Sequence, residues 1–403
     1  MIDSLIFDWN RIGAPPRPPL VMLNDETLRD GLQSPSVRTP TIGQKIEILH
    51  LIDALGIDSA DIGLPGAGPH VVAHVERLAR EIVSARLSVK ANCAARTHVN
   101  DIRPVVEIVQ RTGLPIECCA FIGSSPIRQF TEGWTLDWLL HTTEQAIGFA
   151  VREGLEVMYV TEDTTRANPD TLRALYTCAI RAGAKRICVA DTVGHATPTG
   201  ASAVVQFAGQ VIRDSGAEVG IDWHGHRDRD LAVINSIAAL DAGASRVHAV
   251  ALGLGERVGN TPMDLLLVNL VLMGYIERDL GRLEEYCQAV CDACHVIIPD
   301  NYPVIGRDAF RTATGVHAAA VVKAWRTGDR DLMDAVYSAV PASLVGREQQ
   351  IDVGPMSGKS NVTFWLEKRG IPASEQVIDR VFQRAKSSPT VLTEAEILAE
   401  VYR

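Results

Sequence analysis

Residues 156–190 read EVMYVTEDTTRANPDTLRALYTCAIRAGAKRICVA and contain one complete strand–helix–strand unit. The apolar run at 156–160 is followed by a polar loop and by Asn168 and Pro169, which are typical of a helix N-cap and first turn. Gly183 then ends the helical segment, and a second apolar run occupies 186–190. Two short apolar runs joined by a helix are typical of parallel strands with a crossover connection.

The same alternation extends outward from this unit to about residue 280. Seven helices separate the apolar runs, and an eighth helix begins at Pro262. Eight such units favour an α/β fold in which the sheet closes into a (β/α)8 TIM barrel, because closure leaves no edge strand. The runs predicted as strands are residues 21–23, 59–62, 87–91, 116–122, 156–160, 186–190, 219–223 and 246–250.

Beyond residue 280 strand signals become scarce. Helices are predicted at residues 282–297, 318–326, 375–386 and 394–402, with a loop at 337–346. A proline-rich stretch precedes the first strand and predicts an extended lead-in. We therefore expect an N-terminal arm at 1–19, a barrel domain at 20–280 and a C-terminal helical appendage at 281–403.

Composition excludes several classes of protein. Hydrophobic residues make up 46% of the 403 residues, charged residues make up 22%, and the net charge is −10. These values predict a globular protein with neither nucleic acid nor membrane as a partner. No apolar run is long enough to cross a bilayer, so we expect a soluble cytoplasmic protein.

Eight cysteines are sparse enough to predict reduced thiols. Three of them, Cys287, Cys291 and Cys294, have the spacing of a helical stripe that faces the core.

Polar segments follow five of the predicted strands, where a TIM barrel places its active site. His224 and His226 are two residues apart on an extended segment, so both imidazoles can point to one side. Alone this spacing also fits a pair of solvated or hydrogen-bonded histidines. With Asp30 across the barrel mouth, it favours a divalent metal site for Mg, Mn, Co or Zn, a choice that the residues leave open. The five segments are LRDGLQSP at 28–35, EDTTR at 162–166, DTVG at 191–194, HGH at 224–226 and GLGERVGN at 253–260.

In order and spacing, these five segments resemble the family of 2-isopropylmalate, homocitrate and citramalate synthases over roughly residues 20 to 365. The resemblance implies an acyltransferase of amino-acid biosynthesis. Such an enzyme condenses acetyl-CoA with a 2-oxo acid on a divalent metal and yields a 2-hydroxy dicarboxylic acid and CoA. The appendage adds FRTATGVH at 310–317, which is similar to the segment that carries the family's catalytic histidine, and Tyr337, which matches its catalytic tyrosine. Since these two residues reach the neighbouring subunit's barrel in the synthases, the resemblance implies an intertwined homodimer.

These observations assign roles to ten residues. Asp30, His224 and His226 are the expected metal ligands, and Asn260 is a further metal or supporting group. Arg29 is expected to stabilise the developing alkoxide and to contact the substrate. Glu162, His317 and Tyr337 form the expected proton-transfer set, with the base left open among them. Thr197 resembles a binder of the substrate carboxylate but also fits a helix N-cap, and Arg128 fits either a distal anionic group of the 2-oxo acid or a surface position.

Three residues depart from the synthase pattern. Arg227 and Asp228 follow the second histidine where the family has Asn-Asp, Leu32 stands where many synthases have Glu or Asn, and Thr312 replaces a common His. The form with Leu32 resembles hydroxymethylglutaryl-CoA lyases. A metal-dependent carbon–carbon lyase is therefore one alternative, and a catalytically silent barrel that binds an acyl-CoA or a partner protein is another. We expect no leucine-sensing regulatory domain.

Overall fold

A computed structural model describes residues 4–13 and 15–403, and in it eight parallel strands close into a barrel. Each strand pairs with the next along the chain, and β1 pairs with β8 to complete the ring. The predicted (β/α)8 TIM barrel is therefore confirmed. The strands are β1 Met22–Asp25, β2 Ser59–Asp61, β3 Lys90–Arg96, β4 Ile116–Gly123, β5 Val157–Glu162, β6 Arg186–Asp191, β7 Gly220–Gly225 and β8 Arg246–Ala249.

Fifteen α-helices accompany the strands in the described part of the chain. The quoted unit forms as predicted: Pro169 is the first residue of α6, and Gly183 ends this helix at a φ of +108°, which glycine adopts without strain. The helices are α1 Ile42–Ala54, α2 Pro69–Ala85, α3 Val99–Thr112, α4 Pro126–Glu132, α5 Leu136–Arg152, α6 Pro169–Ala182, α7 Pro198–Ser215, α8 Ala232–Asp241, α9 Met263–Leu272, α10 Leu283–Cys294, α11 Gly315–Arg326, α12 Arg330–Ala335, α13 Lys359–Lys368, α14 Glu375–Lys386 and α15 Glu394–Val401.

The third strand begins later than predicted. The backbone N–H groups of Ser88 and Val89 donate to Oδ1 of Asp53 at 2.7 and 2.9 Å, which holds them outside the strand ladder. The strand instead continues to Arg96. The residues just before Arg96 are small, so the sequence there lacks the run of large apolar residues that predicts a buried strand. The predicted run at 87–91 is therefore wrong by three residues at its start and five at its end.

The chain forms two compact units. One is Pro15–Val296, which contains the barrel and α10; the other is Ile297–Arg403 with the described N-terminal residues 4–13. The predicted domain boundaries at 19 and 280 stay predictions, and residues 1–3 and 14 of the predicted arm lie outside the described residues. Among the described residues, no helix combines the length and apolar composition that a membrane span requires.

The C-terminal unit is mostly helical, as predicted, but contains three features that were not predicted from the sequence. Two are the helices α12 and α13, and the third is a two-stranded parallel sheet of β9 (Arg311–Thr312) and β10 (Gln350–Ile351). The predicted loop at 337–346 holds a single 3-10 turn at Ala342–Val345. Thr312 lies in the small sheet. Ile351 and Phe364 pack with α11, so the sheet and α13 share one hydrophobic cluster.

Helix α10 is attached to the barrel by a buried polar contact. The Tyr286 hydroxyl donates to Oδ2 of Asp25 at 2.5 Å and lies 3.0 Å from the hydroxyl of Thr27. Burial raises the pKa of Asp25 to about 6, although the hydrogen bonds from Tyr286 and Thr27 act in the opposite direction. On the same helix Cys287, Cys291 and Cys294 are free and buried, which confirms the core stripe.

We expect Tyr286→Phe to lower the free energy of unfolding by about 1–3 kcal/mol, because Oδ2 of the buried Asp25 loses its donor while Oδ1 keeps the backbone N–H of Thr27. The raised pKa means that the folded state binds the Asp25 proton more tightly than the unfolded state does. Stability linked to this group is therefore greatest below pH 4 and is lost as the pH rises through about 6. Urea unfolding should show a larger loss at pH 8 than at pH 4. Tyr159→Phe, which removes only a contact with Thr143, is the control; an equal loss at both pH values would contradict the assignment.

Candidate metal centre and active site

A cavity of about 220 Å³ lies at the carboxyl ends of the barrel strands. The loops after β1, β6 and β8 and the ends of β5 and β7 supply its polar wall, as expected for a TIM barrel. Five of the residues predicted from sequence line it together: Arg29, Asp30, Glu162, His224 and His226.

Asp30, His224 and His226 bring three potential ligand atoms close to one another. Oδ2 of Asp30 lies 3.4 Å from Nε2 of His224 and 3.9 Å from Nε2 of His226, and the two imidazole nitrogens are 3.2 Å apart. All three residues are buried. Burial, together with the neighbouring His224, lowers the pKa of His226 to about 4. His226 is therefore a neutral imidazole at pH 7, which is the form that binds a metal.

A second group, Glu26, His224 and His248, is similarly close, but its members already have ionic partners. Nδ1 of His248 lies 2.6 Å from Glu26, and its Nε2 lies 2.8 Å from Asp222. Although burial opposes protonation, these carboxylates raise the pKa of His248 to about 9. An imidazolium cannot ligate a cation. By contrast, Oδ1 of Asp30 has no hydrogen-bond partner among the described residues, so the group containing Asp30 fits a divalent metal better.

Glu26 orients the imidazole ring of His224. Its Oε2 lies 3.5 Å from Nδ1 of His224, so the opposite nitrogen of the ring is aimed at Asp30. Although burial opposes ionisation, Arg29 and the histidines at 224 and 248 hold the pKa of Glu26 well below its ordinary value. The ionised carboxylate thus fixes the His224 ring.

Arg29 is held by three carboxylates. Its Nε donates to Asp61 at 2.9 Å, one Nη lies 3.2 Å from Asp30, and the other donates to Glu26. Burial of the guanidinium opposes its charge, yet these carboxylates raise its pKa well above the ordinary value. A fixed positive charge therefore lies directly beside the predicted metal ligand.

Glu162 ends β5 and faces the same cavity. Burial raises the pKa of its carboxyl above the ordinary value, with Arg128 and Arg29 acting in the opposite direction. A carboxyl group with a raised pKa is a stronger base when ionised, so the position suits proton transfer.

The glycine-rich loop after β8 brings Asn260 to the metal ligands. Asn260 forms an isolated bridge with His226 and donates from Nδ2 to the Leu254 carbonyl, whereas its Oδ1 has no partner among the described residues. Gly259 has a φ of +99°, and a Cβ there would lie 1.8 Å from the Gly253 carbonyl oxygen. Only glycine permits this close backbone approach.

The departure at 227 and the Asp228 beside it are accommodated by ion pairs. Arg227 pairs with Asp230 at 2.8 Å. Asp228 makes a two-pronged pair with Arg257, which also donates to the Thr192 carbonyl at 2.7 Å. These contacts connect the loops after β6, β7 and β8, although the Asn side chain of the family pattern is absent at position 227.

The segment after β6 is held by one carboxylate. Asp191 accepts from the Thr165 hydroxyl at 2.7 Å and from the backbone N–H groups of His195 and Ala196 at 2.9 and 3.1 Å. In this structure, Asp191 of the motif at 191–194 therefore stabilises the loop that follows β6.

Two predicted substrate residues lie away from the 220 Å³ cavity. Thr197 is exposed, and its hydroxyl accepts from the Gly200 N–H at 3.3 Å as the N-cap of α7. Arg128 lines a neighbouring cavity of about 530 Å³, to which Glu162 also contributes. There it lies 3.3 Å from Glu132 and over the Trp134 ring.

His317 and Tyr337 lie in the C-terminal unit and contact each other. Their rings stack with centroids 4.3 Å apart. Half of the Tyr337 side chain is exposed. The structure thus brings together two residues that are twenty positions apart in the sequence.

Glu26, Asp222 and His248 are missing from the sequence-based site. The sequence holds a signal for two of them: Asn24 on β1 and Glu26 just after it, and Arg246 and His248 on β8, are polar residues two apart in buried segments. Period two in a strand places such residues on one face, here the barrel interior.

The chain is similar to known proteins over most of its length. The HMGL-like family model matches residues 21–289. A probable 2-isopropylmalate synthase of Methanopyrus kandleri is 30% identical over 373 residues, covering 92% of this chain and 70% of the relative. A homocitrate synthase of Pyrococcus horikoshii is 30% identical over 387 residues, covering 95% and 99%.

Among solved structures, the HMG-CoA lyase of Bacillus subtilis superposes with a TM-score of 0.59 at 19% identity, covering 70% of this chain and 97% of the lyase. At that identity the likeness concerns the fold. The family match spans the barrel and all five motifs at the strand ends, and the synthase relatives extend over most of the chain. This chain therefore belongs to the HMGL-like family.

Proposed function

We propose that the protein is an acyltransferase that condenses acetyl-CoA with a 2-oxo acid, releasing CoA and a 2-hydroxy dicarboxylic acid. The observation that carries the proposal is the buried group of Asp30, His224 and His226, with Arg29 beside it and Glu162 in the same cavity. Similarity to relatives named 2-isopropylmalate synthase and homocitrate synthase supports the same reaction class.

Asp30, His224 and His226 would hold the divalent cation, with Asn260 as a neighbouring oxygen donor. When bound, such a cation supplies Lewis-acid polarisation of a ketone. Arg29 places its fixed charge where the alkoxide develops, and Glu26 keeps His224 oriented. Attack by the acetyl methyl carbon forms the new carbon–carbon bond, and hydrolysis of the thioester then releases the CoA thiol.

The methyl group of acetyl-CoA must lose a proton to become a nucleophile. Glu162, His317 and Tyr337 remain our candidates for this transfer, and the base is not assigned among them. We further propose that the active unit is a homodimer in which His317 and Tyr337 serve the partner's barrel. Thr197 and Arg128 stay predictions as substrate-binding residues.

Thiol release from acetyl-CoA with a panel of 2-oxo acids tests the proposed reaction directly. Cleavage of hydroxymethylglutaryl-CoA without thiol release from acetyl-CoA would instead establish the lyase alternative. Bound metal with neither reaction would favour the non-catalytic binding role.

Removing either histidine should remove most of the bound metal. We expect His224→Ala and His226→Ala to lose it because two ligands of three cannot retain the cation against chelator washing. Elemental analysis of the purified variants measures the metal. His195→Ala, which changes an exposed histidine outside the cavity lining, is the control. Full metal content in both variants would contradict the ligand assignment.

Tyr337→Phe should lose turnover and keep binding of the 2-oxo acid, because the ground-state ligand does not need the hydroxyl. The expected loss in kcat is about 100- to 10,000-fold. Thiol release and calorimetric titration measure the two properties. Tyr402→Phe, at an exposed tyrosine of the same unit, is the control. Unchanged kcat would remove Tyr337 from the mechanism.

Mixing Asp30→Ala chains with His317→Ala chains should restore thiol release, because a shared site would combine one intact barrel with one intact His317. Each variant alone is expected to be inactive. Differently tagged chains purified as heterodimers provide the sample. Absence of activity in confirmed heterodimers would show that the site is not shared between subunits.

A further inference from the structure

The inner wall of the 220 Å³ cavity is apolar and is built by three neighbouring strands. Each strand contributes two residues spaced by two, so all six face the barrel interior. Cys119 pairs in register with Met158, and Phe121 with Val160. Cys119, Met158 and Cys188 are buried and form one hydrophobic cluster with Val160 packed against it. The six residues are Cys119, Phe121, Met158, Val160, Cys188 and Ala190.

The cationic groups of this cavity already face anionic or carbonyl partners. Arg29 is shared among Glu26, Asp30 and Asp61. Arg257 is held by Asp228 and by the carbonyl of Thr192.

His248 lies between the carboxylates of Glu26 and Asp222. Arg128 lines the neighbouring cavity, and Glu162 contributes to both cavities. A second carboxylate entering the 220 Å³ cavity would therefore meet carboxylates already in place, and the two guanidinium groups that line this cavity are already paired with carboxylates.

We propose that the 2-oxo acid used by this protein carries a short apolar side chain, alkyl or thioalkyl, and that a second carboxylate is rejected. This inference rests on the proposed function. If the ketone and carboxylate of the acid lie at the cation that Asp30, His224 and His226 would hold, its side chain would contact the wall of Cys119, Met158 and Val160. The polarizable sulfur atoms of this wall suit alkyl and thioether groups.

The first experiment compares kcat/KM for thiol release among 2-oxobutanoate, 2-oxoisovalerate, 4-methyl-2-oxopentanoate and 2-oxoglutarate. The best apolar acid should exceed 2-oxoglutarate by about 100-fold or more, because the second carboxylate is buried without a partner. Equal or better use of 2-oxoglutarate would overturn the inference. If that activity disappeared in Arg128→Gln, Arg128 would be the group that binds the distal carboxylate.

A pair of adjacent cysteines offers a matched test of the wall. Cys119 lines the cavity, whereas Cys118 is equally buried on the opposite face of β4. Cys119→Ala enlarges the cavity and should shift the ratio of kcat/KM for 4-methyl-2-oxopentanoate over 2-oxobutanoate by about tenfold toward the longer acid. Cys118→Ala should leave the ratio unchanged. Because both rates come from one sample, the ratio is independent of the folded fraction; an equal shift in both variants would contradict the role of Cys119.

Binding distinguishes failure of this inference from failure of the proposed function. If no acid releases thiol, the condensation reaction is rejected. Calorimetric titration of the metal-loaded protein with 2-oxoisovalerate and with 2-oxoglutarate still decides the side-chain preference. Tighter binding of 2-oxoisovalerate supports the apolar wall, and tighter binding of 2-oxoglutarate overturns it.

Discussion

Arg29 lies among the carboxylates of Glu26, Asp30 and Asp61, and the geometry of the site depends on this contact. Three buried carboxylates would repel one another and take up protons without a cation between them. The guanidinium suits this position because its donors form a rigid planar fork and remain charged when buried. Asp30 is consequently held in place beside the two histidines by the guanidinium group of Arg29.

A chain of buried ion pairs extends from Glu26 into the barrel interior. His248 bridges Glu26 and Asp222, and Asp222 also accepts from Arg246 at 2.5 Å. Arg246 in turn pairs with Glu117 at 2.7 Å. Each of the five charged groups in this network thus has a partner of opposite sign, which is the condition under which such groups are tolerated inside a protein. One wall of the cavity is charged and rigid for this reason, and the opposite wall is left to apolar residues.

That division of the cavity links structure to the proposed chemistry. In the proposed reaction the polar wall positions a ketone, a carboxylate and a transferable proton, and the apolar wall contacts the side chain of the substrate. Under this proposal, reaction type and substrate choice depend on different strands. Relatives named 2-isopropylmalate synthase and homocitrate synthase are about equally similar to this chain, so overall identity does not separate their substrates, whereas the residues of the cavity wall can.

The sequence by itself determined the barrel, because alternating strand and helix periods are local signals and Gly183 marks a helix end. It also predicted the metal ligands, since HGH and LRDG lie at or just after the ends of strands that must end at one mouth. Only the tertiary structure decided that Glu26 and Asp222 meet at His248, that Arg128 lines a separate cavity and that Cys119 rather than Cys118 lines the 220 Å³ cavity. Those outcomes depend on barrel register and on pairings between distant strands, which create contacts that no local sequence pattern specifies.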